Sequence, residues 1–258
     1  MKKALRTARV AASALLLTAA SASAVRAQTF FDGNFTSGWS STLVIHHTGG
    51  DSGSGALDGP DGNPGAYWGT SNYVYFGYSG MVHTSPFGWD PSTQGAITSL
   101  AISYDIGAKS SNQIAFLTTA RQNGHYFVSP GDANPDPTNI DYNIAGPSSS
   151  WIHVSNPAEA LSGWCEIYST FGFGGNYTCG AATLDFSTSG GLIEFGVESA
   201  NSGAASNYST IGGIDNFSVT VNNQDAEVAT PEPASLVLFA TGLTGVLALA
   251  RRRRTTKL

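Results

Sequence analysis

Between two long apolar runs near its ends, the chain carries short apolar stretches separated by clusters of Gly, Ser, Asn, Asp and Pro. That rhythm predicts strands joined by turns. Strands are expected over residues 42–47, 73–78, 97–106, 113–119, 125–129, 151–154, 165–169, 192–199 and 214–221. In the last of these, Ile214, Asn216, Ser218 and Thr220 alternate with Asp215, Phe217, Val219 and Val221, so one set faces a core and the other does not. By the same rule Tyr73 and Tyr75 lie opposite Val74, Phe76 and Tyr78. Only residues 158–161 read as a helical turn. So many short strands in one domain predict an all-β, two-sheet β-sandwich of jelly-roll type. The lack of a fixed internal period argues against a β-helix.

The two ends read as addresses. Lys2, Lys3, Arg6 and Arg9 precede an apolar run over residues 10–20, and the small residues after it fit a signal peptidase site before Gln28; a cut after Ala24 obeys the same rule. At the other end, Ala234 to Ala250 is uncharged and apolar. At a helical rise of ~1.5 Å per residue this run covers roughly 25 Å, enough to enter a bilayer core. Arg251, Arg252, Arg253 and Arg254 follow and favour the cytoplasmic side. The expected organisation is a signal peptide over 1–27, a sandwich over 28–225, a linker over 226–233, a transmembrane helix over 234–250 and a basic cytoplasmic tail over 251–258.

The order of Pro231, Glu232 and Pro233, then an apolar helix, then the arginine cluster resembles the PEP-CTERM sorting signal of Gram-negative bacteria. The resemblance implies recognition by an exosortase, a membrane protease-transpeptidase. It also implies transient anchoring in the inner membrane and delivery to the cell surface or the extracellular polysaccharide matrix. It is silent on activity.

Setting the two ends aside changes the charge picture. Ten of the twelve Lys and Arg residues lie in them, which leaves Lys109 and Arg121 against seventeen acids in residues 28–230, a net charge of −15. A body this acidic is unsuited to nucleic acid, whose binding depends on Lys and Arg at phosphates. Cations, neutral sugars or a hydrated matrix suit it better.

Candidate chemistry is sparse. Cys165 and Cys179 are the only thiols, and in an exported chain they are expected to form a disulfide around a glycine-rich loop; their spacing is not Cys-x-x-Cys. The stretch from Gly50 to Gly53 resembles a serine-protease nucleophile loop, yet the His-bearing partner motif is missing, and a flexible loop is the expectation. Glu194 and Glu198 resemble the acid and nucleophile pair of β-glucanases with a lectin-like jelly roll. On a flat strand, however, positions four apart lie ~13 Å from each other, where a retaining pair needs ~5 Å. The expected alternative is an outward acidic face opposite Ile193, Phe195 and Val197. His46, His47, His83, His125 and His153 form no metal-ligand spacing. Asp58, Asp61 and Asn63 offer the oxygen-rich turn that calcium accepts, and equally suit two successive β-turns. Tyr67, Trp68, Tyr73, Tyr75, Tyr78, Trp89 and Trp151 are either sugar-stacking platforms or core.

A broader resemblance covers the ends of the body and one loop. Phe31-Asp32-Gly33-Asn34-Phe35 with Gly38-Trp39, the stretch from Gly62 to Tyr67, and the stretch from Gly213 to Val219 look like galactose-binding-type and laminin-B-type jelly rolls. The resemblance implies that the first and last strands meet, with Asp32 and Asp215 placed to help hold a structural calcium. Together these features lead to the expectation of a non-catalytic glycan- or matrix-binding sandwich. The alternatives are a purely structural matrix component, or a glycan hydrolase using Glu194 and Glu198.

Overall fold

The computed structural model describes residues 25–35, 38–46, 50–75, 77–130, 143–146, 150–171, 178–203 and 208–224. Among them are thirteen strands and one helical turn. The first strands are β1 (Val25–Asp32), β2 (Ser40–Ile45), β3 (Ser52–Gly62), β4 (Gly65–Val74) and β5 (Gly77–Trp89). After helix α1 (Pro91–Gln94) come β6 (Ala96–Ala108), β7 (Ile114–Gln122), β8 (His125–Val128) and β9 (Asn143–Ala145). The last are β10 (Ile152–Glu159), β11 (Cys165–Ile167), β12 (Ile193–Gly203) and β13 (Tyr208–Gln224). The expected signal peptide lies outside the described residues up to residue 24, as do the linker, apolar run and arginine cluster beyond residue 225. No helix among the described residues is long and apolar enough to cross a membrane.

The strands form two antiparallel sheets. The front sheet has the order β10-β6-β13-β4-β3, with β1 also paired to β13; the back sheet runs β11-β8-β7-β12-β5-β2, with β9 on β7. The first and last strands do meet, Val25 lying opposite Gln224 and Asp32 opposite Phe217. β1 therefore begins three residues before Gln28, the expected start of the exported chain.

Apolar alternation explains why these segments pack face to face. Ile102, Tyr104, Ile106, Phe217, Val219 and Val221 from the front sheet meet Ile114, Phe116, Phe127, Phe195 and Val197 from the back sheet in one buried cluster. β13 corrects the simple period. Its pairing with β6 shifts register between Asp215 and Ser218, and Asn216 sits at φ 49°. The extra residue re-phases the strand, so Ile214 joins Phe217 and Val219 in the core instead of opposing them. Asn is among the few non-glycine residues that tolerate this left-handed conformation.

Two further expectations are corrected. Residues 73–78 span the end of β4 and the start of β5 rather than one strand. Ala158 and Glu159 belong to β10, not to a helix. The helical turn is instead α1, where Pro91 opens the helix and the Asp90 carboxylate accepts from Ser92 N at 3.0 Å. β3, rich in Gly, Ser and Asp, carried no periodic apolar signal. It is held at the sheet edge by backbone pairing to β4.

A second, smaller core lies on the outer side of the back sheet. Val82, Leu117, Val128 and Ala200 project there and are covered by Cys165, Ile167 and Phe171. The expected disulfide, Cys165 to Cys179, closes this covering segment with a Cα separation of 5.0 Å.

Candidate functional site

The outer face of the front sheet carries a row of glycines in direct register: Gly69 opposite Gly213, and Gly213 opposite Gly107. Missing side chains leave a floor on which aromatic rings lie. A Cβ on Gly213 would come within 2.4 Å of the Tyr67 ring, and one on Gly107 within 3.3 Å of Trp151. Tyr67 and Trp151 meet edge to face, their centroids 5.3 Å apart. Lys109 Nζ stands 5.3 Å from the Tyr67 centroid and 5.1 Å from that of Trp151, a geometry suited to cation–π attraction.

Backbone and carboxylate groups fix these rings. Trp151 Nε1 donates to the Asp61 carbonyl at 3.0 Å, and Tyr67 Oη donates to Asp58 Oδ2 at 2.8 Å. The Gly59 backbone N–H and then the Tyr67 hydroxyl hold the Asp58 carboxyl below its usual range; burial, followed by the bond to Asp58, raises the Tyr67 phenol. Beside this cluster lies a groove of about 300 Å³, lined by Ser54, Ala56, Asp58, Gly69 and Ser71 together with Leu57 and Ile211. Leu57 is 51% exposed and Ile211 47%, so the groove offers accessible apolar walls over small and hydroxyl-bearing residues.

Two rungs away, on the same face, runs an acidic row, Asp215 opposite Asp105 and Asp105 opposite His153. Asn63 and Asn216 knit it together. Asp215 Oδ2 accepts from Asn63 N, and its Oδ1 from Asn216 N at 2.7 Å. Asp105 Oδ2 accepts from Asn63 Nδ2 at 3.1 Å and from Asn216 Nδ2 at 2.7 Å, while its Oδ1 lies 2.6 Å from His153 Nδ1. Burial, opposed by the two backbone bonds and reinforced by Asp105 and Asp32, raises the Asp215 carboxyl. Asp32 accepts from Phe35 N at 2.7 Å and from Trp39 Nε1 at 3.0 Å. The residues expected around calcium thus divide: Asn63 joins Asp215, and Asp58 turns toward Tyr67. The carboxylate oxygens of Asp32, Asp58 and Asp215 face N–H and O–H donors, and Asp61 accepts through its backbone carbonyl. Among the described residues, no group of three or more His, Cys, Asp or Glu side chains is arranged to hold a metal ion.

The remaining candidates scatter. Glu194 Oε2 is bound by Arg121 Nη1 at 2.8 Å. Glu198, on the same outer face of the back sheet, is fully buried between Val82 and Leu117, and a Cβ on Gly80 would come within 1.8 Å of its Oε1. Among the described residues, neither Glu198 oxygen has a hydrogen-bond partner. Burial pushes its carboxyl up to about 8. The pair therefore shares no open cleft, and the outward acidic face expected there is half wrong. His83 lies between the sheets, where burial lowers its imidazole to about 3. Its Nδ1 accepts from Trp68 Nε1 at 3.1 Å, which leaves the ring proton on Nε2, 2.8 Å from Ser199 Oγ and 3.0 Å from Thr70 Oγ1. Ser41 Oγ completes the set, 2.7 Å from Nδ1. His125 pairs with Glu166 at 2.6 Å on the far edge of the back sheet; Asp51 accepts from Tyr75 N at 2.6 Å, and β3 starts at Ser52. His47 lies outside the described residues.

Sequence reasoning missed Gly69, Gly107, Lys109, Asp105 and Ile211. They come together through cross-strand register, which no local spacing encodes.

The fold defines an all-β, two-sheet sandwich. Residues 229–254 match the PEP-CTERM protein-sorting motif, so the chain carries that sorting signal at its C-terminal end. No curated protein matches the chain. Among solved structures, it is similar to a family 11 carbohydrate-binding module from Clostridium thermocellum in complex with a beta-1,3-1,4-mixed-linked tetrasaccharide. That similarity has 21% identity and a TM-score of 0.41, covering 76% of this chain and 96% of that one. The CBM22-1 xylan-binding domain from Paenibacillus barcinonensis Xyn10C shows 13% identity and a TM-score of 0.37, covering 80% and 99%. The K1 cleaved adhesin domain of Lys-gingipain from Porphyromonas gingivalis W83 shows 10% identity and a TM-score of 0.33, covering 74% and 97%. The ligands in these descriptions belong to those proteins.

Proposed function

We propose that this is an exported protein, led through the inner membrane by residues 1–27, held there transiently by its C-terminal tail, and passed by an exosortase to the cell surface or matrix. There its sandwich binds glycan without catalysis. The observation that supports the binding reading is the front-sheet groove with its adjoining rings. Apolar walls at Leu57 and Ile211, hydroxyls at Ser54 and Ser71, a carboxylate at Asp58 and the Trp151 ring are the mixture that a sugar's apolar face and hydroxyl edge require. The net charge of the body favours a neutral glycan over a polyanion. Catalysis by Glu194 and Glu198 forms no part of this reading, because one is ion-paired and the other sealed in apolar surroundings.

Affinity electrophoresis of the exported protein through gels containing the host's own and reference polysaccharides tests it. At least one neutral polysaccharide should retard the protein, and Ile211→Asp and Trp151→Ala should each weaken that retardation tenfold or more, about 1.4 kcal/mol. Retardation by none, with the fold intact by circular dichroism, leaves the purely structural matrix component as the better reading.

A further inference from the structure

Among the described residues, Asp58 is the one charged side chain in the lining of the front-sheet groove, and it is exposed. An ionised carboxylate offers about four lone-pair sites, two on each oxygen. The Gly59 backbone N–H occupies one on Oδ1 at 2.7 Å, and the Tyr67 hydroxyl occupies one on Oδ2 at 2.8 Å. Each oxygen therefore keeps one acceptor site, and the two sites lie side by side. Resting on the glycan-binding reading above, we infer that the groove selects neutral glycans presenting hydroxyls on two adjacent carbons, both donating to Asp58, and rejects acidic ones.

The register of β3 on β4 sets the carboxylate over the floor of the groove. Asp58 lies opposite Tyr67, and Ala56 opposite Gly69. Gly69 has no side chain to hold Asp58 off: a Cβ there would come within 3.0 Å of Asp58 Oδ2 and 3.1 Å of its Cβ. The carboxylate thus leans from the edge strand onto the Gly69 floor, where the Tyr67 hydroxyl fixes it. Two residues further along each strand, Ser54 faces Ser71 and Ser71 faces Ile211. A sugar ring resting on Ala56 and Gly69 meets the carboxylate at one end and hydroxyls with an apolar side chain at the other.

Charge narrows the guest further. A guanidinium or ammonium group would fill the same two sites, but Lys109 Nζ already stands 5.3 Å from the Tyr67 centroid and its charge reaches Asp58, so a second cation meets repulsion there. A uronate or sulfate would bring a negative charge against a carboxyl that the Gly59 N–H and the Tyr67 hydroxyl hold below its usual range and therefore ionised. A pair of hydroxyls brings no charge, and hydrogen bonds from O–H to a carboxylate are short and strong.

The test is affinity electrophoresis of the exported protein through gels containing the host's own polysaccharide, dextran, galactomannan or polygalacturonate. Each polymer is used intact and after periodate oxidation, which splits the bond between adjacent hydroxyl-bearing carbons, followed by borohydride reduction. At least one neutral polymer should retard the protein, and periodate treatment should weaken that retardation tenfold or more. Intact polygalacturonate, whose rings also carry adjacent hydroxyls, should retard it at least tenfold less. Asp58→Asn, which keeps the shape and removes the charge, should weaken retardation by the neutral polymer about tenfold and narrow its margin over polygalacturonate. Retardation by none of the polymers would sink the binding reading itself. Retardation that survives periodate, that polygalacturonate matches, that Asp58→Asn leaves within twofold with the fold intact by circular dichroism, or that arginine displaces where glucose does not, would overturn this inference and leave glycan binding standing.

Discussion

His83 and Glu198 are one rung apart on neighbouring strands, Val197 facing His83 and Glu198 facing Val82, yet they look in opposite directions. Both are fully buried and both are neutral in mid-range pH. His83 points between the sheets and meets Trp68, Ser41, Thr70 and Ser199. Glu198 points outward into the cluster beneath the disulfide-closed segment and meets no hydrogen-bond partner among the described residues. The contrast shows what a second sheet supplies: polar groups from two facing layers satisfy a buried ring, whereas the outer core of one sheet offers a carboxyl only apolar neighbours.

Removing His83 should have the largest effect. His83→Leu removes the four contacts of the ring with Trp68, Ser41, Thr70 and Ser199, leaving Trp68 Nε1 on Ser41 Oγ at 3.3 Å and Thr70 Oγ1 beside Ser199 Oγ at 2.7 Å. At about 1 kcal/mol per contact, a loss of roughly 4 kcal/mol is expected in urea unfolding. A loss under about 1 kcal/mol would erase the distinction between the two cores. Next, replacing both Cys165 and Cys179 by Ala should cost about 3 kcal/mol, the chain-entropy value for a loop of this size. Loss of amide-exchange protection should concentrate around Leu117 and Glu198 rather than around Tyr104; uniform loss would mean that the cores are one unit.

Glu198→Met should stabilise the protein by about 2 kcal/mol at pH 9, seen as a melting temperature ~4–8 °C higher, and by much less at pH 4. The sign follows from proton binding. Native Glu198 keeps its proton to about 8 while an unfolded glutamic acid releases it from 4.5 upward, so stability is full below 4.5 and is lost as pH rises toward 8. Native His83 stays neutral down to about 3 while an unfolded histidine gains a proton below 6.5, so its contribution is full above 6.5 and is lost as pH falls toward 3. Between 4.5 and 6.5 the two slopes oppose each other, and the wild-type melting temperature should be flattest there. Glu198→Met should remove the alkaline decline and keep the acid one. The smallest effect expected is from chelation. With Asp32, Asp105 and Asp215 already facing N–H donors, EDTA should move the melting temperature by less than ~1 °C; a larger fall would show a structural calcium.

Much of the sandwich was legible in the chain because its central strands carry clean alternation, as in β6 and β12. The alternation failed where one residue broke phase. Asn216 takes a left-handed conformation, and the bulge there moves Ile214 to the core side. β3 was illegible because an edge strand of Gly, Ser and Asp owes its place to backbone pairing, not to side-chain burial. Glu198 was read as outward and solvated. It is outward, but sequence spacing gives no sign that residues 165–171 cover that face. For the same reason Trp151 was legible only as an aromatic: its neighbours Gly107, Lys109 and Tyr67 arrive on other strands.

The place of β13 has a mechanical consequence. The sorting motif begins at residue 229, five residues beyond Gln224, and the last seven residues of β13 are paired with β1 on one side and β6 on the other. A pull transmitted from an anchored tail therefore enters the domain through an interior strand, and peeling that strand means opening two ladders together.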